Sequence, residues 1–294
     1  MMIRRNIASH ATSTIPPSTH LCAGPRRKEE VGAGVARRFR ILLLTLATVL
    51  SGSRAVAQSP SEYGRIVLDR YSSRAGVNGV VFDHWLHRAW FTCGLCHVDI
   101  GFAMQARGTD IKASTNKEGY HCGACHDGKR SFKGEAIFAA CEDGAPAGEN
   151  KRCARCHSRG KQGVRKFDYE TFTAKLPKNV YGVDWEEAEV QGLIKPIDSL
   201  DGISIKRARL NNQEDFSIKA RASWASDVIF SHKKHSIWNG CEVCHPEIFP
   251  TTQKGAIKYT MIHISAGQYC GVCHGKVAFR INACHKCHTG MSGL

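Results

Sequence analysis

Six short stretches of the sequence share one pattern, Cys-x-x-Cys-His, and together they contain twelve of the fourteen cysteines. We number them in chain order: motif 1 (Cys93, Cys96, His97), motif 2 (Cys122, Cys125, His126), motif 3 (Cys153, Cys156, His157), motif 4 (Cys241, Cys244, His245), motif 5 (Cys270, Cys273, His274) and motif 6 (Cys284, Cys287, His288). Paired cysteines can bind zinc, form disulfides, carry out thiol redox chemistry or attach a prosthetic group.

The histidine that ends every motif separates these alternatives. Zinc ribbons and disulfides explain the cysteine pairs, but neither needs a histidine at the next position. A thioredoxin-like redox site uses one such pair, whereas this chain has six. Covalent c-type haem explains each residue, because two thiols form thioethers with the porphyrin and the adjacent histidine binds the iron. The sequence therefore predicts six covalently bound c-type haems, with the motif cysteines as attachment points and the motif histidines as iron ligands.

The motifs belong to an internal repeat with a constant offset of 148 residues. "VVFDHWLHRAWFTCGLCHVDI" (80–100) aligns with "VIFSHKKHSIWNGCEVCHPEI" (228–248), and "GYHCGACH" (119–126) aligns with "GQYCGVCH" (267–274). Only the spacing between the second and third motifs differs between the copies. A fixed repeat predicts duplicated structural units. We therefore expect two three-haem modules and a linker: module 1 (78–160), a linker (161–225) and module 2 (226–294).

The repeated segments resemble the cytochrome c7 family, the three-haem relatives of cytochrome c3. They are most similar to triheme modules that occur in tandem in multihaem cytochromes of metal-respiring bacteria. The specific features are "F-x-H-x-x-H" before motifs 1 and 4, and "G-x-x-C-G-x-C-H" at motifs 2 and 5. The resemblance covers both modules. It implies a mostly irregular fold with short α-helices, wrapped around covalent haems.

The resemblance also implies which histidines supply sixth ligands to the irons. His84 would bind the haem of motif 1 and His87 the haem of motif 2, with His232 and His235 doing the same for motifs 4 and 5. Side chains three residues apart leave one helical turn on the same side, so one turn can reach two neighbouring irons. The alternative is a pair of surface histidines, which the recurrence at identical spacing disfavours.

The third haem of each module has a less regular sixth ligand. In module 2 the family pattern points to His263, with Met261 as the alternative. Module 1 has neither histidine nor methionine at the corresponding positions, so His121 is the candidate there. Met104, a ligand from elsewhere and an open iron are its alternatives. Cys141 is expected to be a small buried residue, with a reactive thiol as the alternative.

Residues 1–57 are expected to be an upstream extension and a signal peptide that is removed. A basic cluster precedes the apolar run Ile41–Leu50, and Ala55–Ala57 forms an A-x-A cleavage site. About 35 polar residues precede this signal, a length unusual for its basic region. The true start is therefore expected near Val31 or Val35. The apolar run is too short to span a bilayer, so the mature chain should have no transmembrane segment.

The charge of the mature chain argues against nucleic-acid binding. Residues 1–57 carry nine of the 41 basic and two of the 26 acidic side chains, which reduces the formal charge from +15 to +8. Haem propionates would offset this remainder, so the basic side chains are expected near haem carboxylates. Nucleic acid is therefore not an expected partner.

The linker and the aromatic residues near the motifs give more local predictions. Asp184 and Glu187 form a capping box, which predicts a short helix over 185–191. Four aromatic residues are expected to pack either on porphyrin faces or in ordinary protein core: Phe82, Trp90, Phe230 and Trp238.

No phosphate loop, G-x-S-x-G motif or nucleotide fingerprint is present, so no catalytic residues are predicted. The leading hypothesis is a periplasmic or secreted electron carrier, not an enzyme. It would connect other cytochromes or redox proteins, including extracellular or outer-membrane acceptors. One alternative is an oxidoreductase that reduces a small molecule such as nitrite at an open haem, most plausibly that of motif 3. Another is a subunit of a haem filament.

Overall fold

The computed structural model describes residues 59–141, 153–158, 167–205 and 213–290. The predicted signal peptide, the proposed start positions and Cys22 lie outside these residues. Regular structure is short throughout the described ranges, with α-helices of four to eight residues and strands of two to four. The predicted fold class, mostly irregular with short helices, is therefore confirmed.

The described helices and strands follow one another in short succession. The α-helices are α1 (His84–Arg88), α2 (Ala113–Lys117), α3 (Tyr169–Thr173), α4 (Trp185–Val190), α5 (His232–Asn239), α6 (Met261–Ser265) and α7 (Cys284–Cys287). Antiparallel pairs are formed by β1 (Arg65–Leu68) with β2 (Val80–Asp83), β3 (Ser131–Phe132) with β4 (Glu135–Ala136), β5 (Lys178–Asn179) with β6 (Gly182–Val183), and β7 (Phe216–Ile218) with β8 (Val228–Phe230). Short 3-10 helices cover Pro60–Glu62, His121–Ala124, Cys153–Arg155 and Tyr269–Val272, and a π-helical turn covers Leu95–Asp99.

A strand pair leads into the paired-histidine helix in each repeat. β2 runs directly into α1, and β8 leads into α5. In the first repeat Asp83 is buried at the end of β2, and Arg65 Nε donates to its Oδ1 at 2.7 Å. This ion pair ties β1 to the residue before α1. The strand pair thereby fixes the direction in which the histidine helix begins.

The glycines of "G-x-x-C-G-x-C-H" have a steric cause. A Cβ on Gly123 would lie 1.7 Å from the carbonyl oxygen of Asn116 at the end of α2. In the second repeat, a Cβ on Gly271 would lie 1.8 Å from the carbonyl oxygen of Ile264 in α6. Gly119, between α2 and motif 2, has a φ of +88°, a conformation that favours glycine. These residues let a short helix pack directly against the turn that carries motif 2 or motif 5.

The linker contains the helix that its capping residue predicts. The Asp184 carboxylate accepts a hydrogen bond from the backbone N–H of Glu187, and α4 extends from Trp185 to Val190. Gly192 follows with a φ of +69°. A capped start and a glycine shortly after the last turn are the usual boundaries of a short helix. The prediction of a helix over 185–191 is confirmed, with its end one residue earlier.

The linker packs against module 1 and forms a small apolar core there. Its buried residues and the partly buried side chains around them are Ala89, Ala188, Ile194, Phe172, Leu176 and Trp185. Trp90 joins this region, with ring centres 5.5 Å from those of Phe132 and Phe172. Trp90 therefore has the protein contacts that one of its two predicted placements requires, and its packing on a porphyrin stays a prediction.

The described residues lie in a single compact unit. None of their helices is long and apolar enough to cross a membrane.

Candidate haem sites

Each motif folds as one turn of helix or a close relative of it. The histidine N–H donates to the carbonyl of the first cysteine at 2.8 Å in motifs 2, 3 and 6 and at 3.0 Å in motifs 4 and 5. Motif 1 lies on the π-helical turn. Residues three and four positions apart face the same side of a helical turn. The two thiols and the imidazole of a motif can therefore meet one flat group.

The motif cysteines in the described ranges are free thiols, half-buried except for the exposed Cys241 and Cys284. All cysteines in the described ranges are unpaired by disulfides. Burial raises the pKa of the Cys96, Cys122 and Cys273 thiols to about 12. Such thiols are neutral at pH 7 in the absence of a metal. Within the described ranges, no three His, Cys, Asp or Glu side chains are grouped to hold a metal ion. A haem iron needs at most two protein ligands, so the donors present fit this group.

Backbone carbonyls fix the orientation of most motif histidines. A carbonyl oxygen can only accept, so each contacting Nδ1 must carry the proton and leave the Nε2 lone pair free for a metal. The Nδ1-to-carbonyl distances are 2.8 Å for His97 and Phe102, 3.3 Å for His126 and Phe138, 2.6 Å for His157 and Asn78, 2.8 Å for His245 and Phe249, and 2.6 Å for His288 and Ser226. Asn78 and Ser226 are 148 residues apart, so this contact repeats between the modules.

Two histidines of the paired-histidine helices face motif histidines. The ring centres of His87 and His126 are 6.4 Å apart, and those of His235 and His274 are 6.2 Å apart. A metal between two imidazoles, each bound at about 2 Å, separates the ring centres by roughly 6 Å. Burial lowers the pKa of His87 to about 3. The neutral imidazole that results is the form that binds metal.

The phenylalanine of "F-x-H-x-x-H" stacks on the second histidine of the pattern. The ring centres of Phe82 and His87 are 4.3 Å apart at an interplanar angle of 30°. In module 2, Phe230 and His235 are 4.5 Å apart at 29°. These are the same two histidines whose rings lie near those of the motif histidines His126 and His274. The sequence signal for this contact was the recurrence of phenylalanine at the same offset from the histidines.

The first histidine of each pair is held in a different way. His84 Nδ1 lies 2.5 Å from the carbonyl oxygen of Gly64, and the His84 ring interacts electrostatically with His97. The His232 ring lies 5.9 Å from Phe230. His84 thus lies near the motif 1 histidine that the family pattern assigns to it.

The two candidate ligands for the third haems lie in unlike settings. His263 is exposed in α6, with its ring 6.1 Å from that of Tyr269. His121 begins the turn of motif 2 at a φ of +50°, and its Nδ1 is buried without a hydrogen-bond partner. The repeat counterpart of His121 is Tyr269, also at a φ of +50°. His121 and His263 are therefore not equivalent positions of the two modules.

Cys141 is half-buried near motifs 2 and 3. Its Sγ lies 3.8 Å from Asn116 Nδ2, and it has a φ of +60°. Its sulfur also interacts electrostatically with the thiols of Cys122 and Cys156. The expectation of a small buried residue is thus only partly met.

The motif thiols form a continuous series of neighbours. Besides burial, a neighbouring motif thiol raises the pKa of several cysteines: Cys156 acts on Cys122, Cys125 on Cys96, Cys93 on both Cys244 and Cys273, and Cys270 on Cys287. The order of sites through the protein is therefore motif 3, motif 2 and motif 1, then motifs 4 and 5, then motif 6.

Comparison with solved structures finds similar chains at low sequence identity. Solved structures similar to this chain include the C-terminal hexaheme fragment of GSU1996, with 23% identity and a TM-score of 0.24 over 76% of this chain and 96% of that chain. The N-terminal hexaheme fragment of GSU1996 has 21% identity and a TM-score of 0.22, over 78% of this chain and 99% of that chain. The dodecaheme cytochrome c GSU1996 has 19% identity and a TM-score of 0.24, over 82% of this chain and 81% of that chain. No curated protein matches.

The family model described as cytochrome c7 and related cytochrome c matches residues 80–163 and 228–289. The first segment contains motifs 1 to 3 and the second contains motifs 4 to 6. Members of this family carry covalently bound c-type haems. Through these two segments, the chain belongs to the family of cytochrome c7 and related multihaem c-type cytochromes.

Proposed function

We propose that the chain is an exported hexahaem c-type cytochrome that relays electrons between redox partners. The observation that carries this proposal is the facing of His87 with His126 and of His235 with His274, at ring separations of 6.4 and 6.2 Å. An iron with two axial imidazoles has no open position for a substrate, but it can still exchange electrons with a neighbour. The function is therefore electron transfer and not catalysis.

The protein contributes two kinds of side chain to each haem. The motif cysteines form the thioether bonds, and the motif histidine is the proximal ligand. The sixth ligands are assigned as His84 for motif 1, His87 for motif 2, His121 for motif 3, His232 for motif 4, His235 for motif 5 and His263 for motif 6. The backbone hydrogen bonds at Nδ1 of His84 and His235 support these roles, because they leave Nε2 free.

The relay runs through module 1 (78–160) and module 2 (226–294), which the linker (161–225) joins. When bound, the haems supply one-electron redox chemistry. The electrostatic contacts between successive motif thiols support a path with motif 3 near one end and motif 6 near the other. The protein would tune the redox properties of the haems through the axial ligands, the burial of each site and the spacing between sites.

The cellular setting follows from the amino-terminal sequence and from haem attachment. The basic cluster, the apolar run and the A-x-A site before Gln58 support export to the periplasm or beyond it. The partners are other cytochromes or redox proteins, including extracellular or outer-membrane acceptors. Nucleic acid is not a partner, because the positive charge of the mature chain is offset by haem propionates.

A second candidate function rests on motif 3. The histidine assigned to it, His121, occupies the position of Tyr269 in module 2, and a tyrosine has no ring nitrogen to offer. If neither His121 nor its alternatives, Met104 or a ligand from elsewhere, binds, the haem of motif 3 is open. The chain would then be an oxidoreductase that reduces a small molecule there.

Carbon monoxide binding to the fully reduced protein separates the two functions. The relay predicts a wholly low-spin spectrum that is unchanged by carbon monoxide. Stoichiometric binding to one haem would contradict the pure carrier and favour the oxidoreductase. The His121→Ala variant identifies the site, since the relay predicts that it gains one carbon monoxide per chain.

A further inference from the structure

The Arg88 side chain crosses from module 1 to the rest of the protein. It leaves the last turn of α1, and its Nη1 donates to the carbonyl oxygen of Val277 at 2.7 Å. Its guanidinium carbon lies 5.2 Å from the ring centre of Trp185 in the linker and 5.2 Å from that of Trp238 in α5. One cation thus contacts module 1, the linker and module 2.

This contact is not part of the repeat. The counterpart of Arg88 at the offset of 148 is Ser236, which has no charge. The backbones of motif 1 and α5 also approach each other closely here. A Cβ on Gly94 of motif 1 would lie 2.7 Å from the carbonyl oxygen of Asn239, the last residue of α5. The counterpart of Gly94 is Glu242. Arg88 and Gly94 therefore serve the junction of the two modules and not the fold of each module.

One acid lies among the groups that interact electrostatically with Arg88, which are Cys93, Tyr63, Glu189 and Cys273. Burial raises the pKa of the Cys93 and Cys273 thiols, and a thioether sulfur has no proton to lose, so both residues are uncharged before and after haem attachment. Burial raises the pKa of Tyr63, which keeps this phenol neutral. The guanidinium, which stays protonated in proteins, lies one residue after His87 in the chain and bonds to Val277, four residues after Cys273, with Glu189 as an acidic neighbour.

We propose that Arg88 holds the two modules together at the crossing between motifs 1 and 5, and that its charge raises the reduction potentials of both haems there. This inference rests on the proposed function. Reduction adds one electron to an iron, and a nearby cation in a poorly solvated setting stabilises that added charge. Bound haems would supply one-electron exchange on both sides of the junction. A charge that raises both potentials would not by itself favour electron transfer in either direction.

The test compares matched arginine variants in the haem-loaded protein. Redox titration followed by NMR, with the signals of each haem resolved, measures the individual potentials. Arg88→Gln should lower the reduction equilibrium constant of two haems about tenfold, which is about 59 mV for a one-electron couple. Arg107→Gln is the control, because Arg107 pairs with Asp69 on the surface and its side chain is 69% exposed. It should leave all potentials unchanged.

Two further variants separate charge from packing. Arg88→Lys keeps the positive charge but replaces the planar guanidinium by an ammonium group. Its haem potentials should therefore match those of the wild type, while its thermal stability stays lower. Glu189→Gln removes the acidic neighbour and should shift the same two haems in the opposite direction. It also serves as the decisive variant if Arg88→Gln does not mature.

The outcomes distinguish this inference from the proposed function. Unmoved potentials in Arg88→Gln or Glu189→Gln, with six low-spin haems present, would overturn the role of Arg88 and leave the relay intact. A wild-type protein without six low-spin haems would contradict the relay itself.

Discussion

At the scale of the residue, hydrogen bonds to backbone carbonyls decide how the histidines can act. His157 and His288 use the carbonyls of Asn78 and Ser226, both at 2.6 Å, and these carbonyls lie just before β2 and β8. The bond selects the tautomer that leaves Nε2 free and raises the basicity of the ligand. The histidines of motifs 3 and 6 each form a hydrogen bond to a backbone carbonyl at the start of their own module.

Removing one facing histidine should open one iron. In His87→Ala and in His235→Ala we expect one high-spin haem in six and stoichiometric carbon monoxide binding in the reduced protein, because each ring faces a motif histidine. Optical and electron paramagnetic resonance spectra measure both effects. His285→Ala is the matched control, since His285 lies between the cysteines of motif 6 and should leave all six irons low-spin. An unchanged spin state in both test variants would contradict the assigned ligands.

Much of the candidate site could be predicted at this scale, because its residues are adjacent in sequence or recur at a fixed offset. The family pattern predicts the pairing of His87 with motif 2, and the structure places the ring centres of His87 and His126 6.4 Å apart. The carbonyl partners of the motif histidines could not be predicted, since any residue type has a carbonyl. Arg88 was also missed, because it has no counterpart in the second repeat and its partners are distant in sequence.

At the scale of the element, α2 and α6 depend on the glycines that let them contact motifs 2 and 5. Gly123→Ala and Gly271→Ala should each lower the free energy of unfolding by about 2–4 kcal/mol, because the new Cβ overlaps backbone and not a movable side chain. Chemical denaturation of the haem-loaded protein measures the loss. Gly255→Ala is the control, with a φ of +81° and open space around its Cβ. It should cost only about 1 kcal/mol, and equal losses in all three variants would contradict the steric argument.

The start of α4 joins a helix cap to an ion pair. Asp184 accepts from the N–H of Glu187, and its Oδ2 lies 2.8 Å from Nζ of Lys286 in α7. Asp184→Ala should lower the free energy of unfolding by about 1–2 kcal/mol, whereas Asp184→Asn keeps the cap and should lose less. Asp168→Ala is the comparison, because Asp168 caps α3 through the N–H of Thr171 from an exposed position. A loss no larger than that of Asp168→Ala would argue against a role for Lys286.

The same site predicts a pH dependence. Burial opposes ionisation of Asp184, but the hydrogen bonds from Lys286 and from the backbone of Glu187 outweigh it and lower the pKa. A carboxyl with a lowered pKa in the folded state stabilises the protein above its unfolded pKa of about 4 and loses that effect as the pH falls further. The stability difference between wild type and Asp184→Asn should therefore shrink below about pH 4. A difference that stays constant from neutral to strongly acidic pH would contradict the ionic contribution.

Elements with local signals were predictable and those with distant partners were not. The capping residue of α4 and its glycine stop lie within nine residues, so the helix could be predicted from the sequence. β1 and β7 carry no comparable signal, and they form because β2 and β8 offer an edge to pair with. Strand pairing of this kind depends on tertiary context more than on residue type.

At the scale of the whole molecule, the apolar core is small for the length of the chain. The described residues that are buried and apolar include few large side chains: Val81, Trp85, Leu95, Tyr169, Ile194 and Val243. Chains with little core need covalent or metal staples to remain folded. The proposed haems would supply both, since each one joins two cysteines and two histidines from different segments. The account at every scale therefore depends on their number and attachment.

Intact-mass measurement of the exported protein tests this claim most directly. Material from a host that matures c-type cytochromes should have the mass of the chain from Gln58 plus six haems, retained after acid denaturation because thioether bonds are covalent. Replacing Cys284 and Cys287 of motif 6 by serine should reduce the count to five, which ties the added mass to the motifs. The bare polypeptide mass, or haem lost on denaturation, would contradict the account.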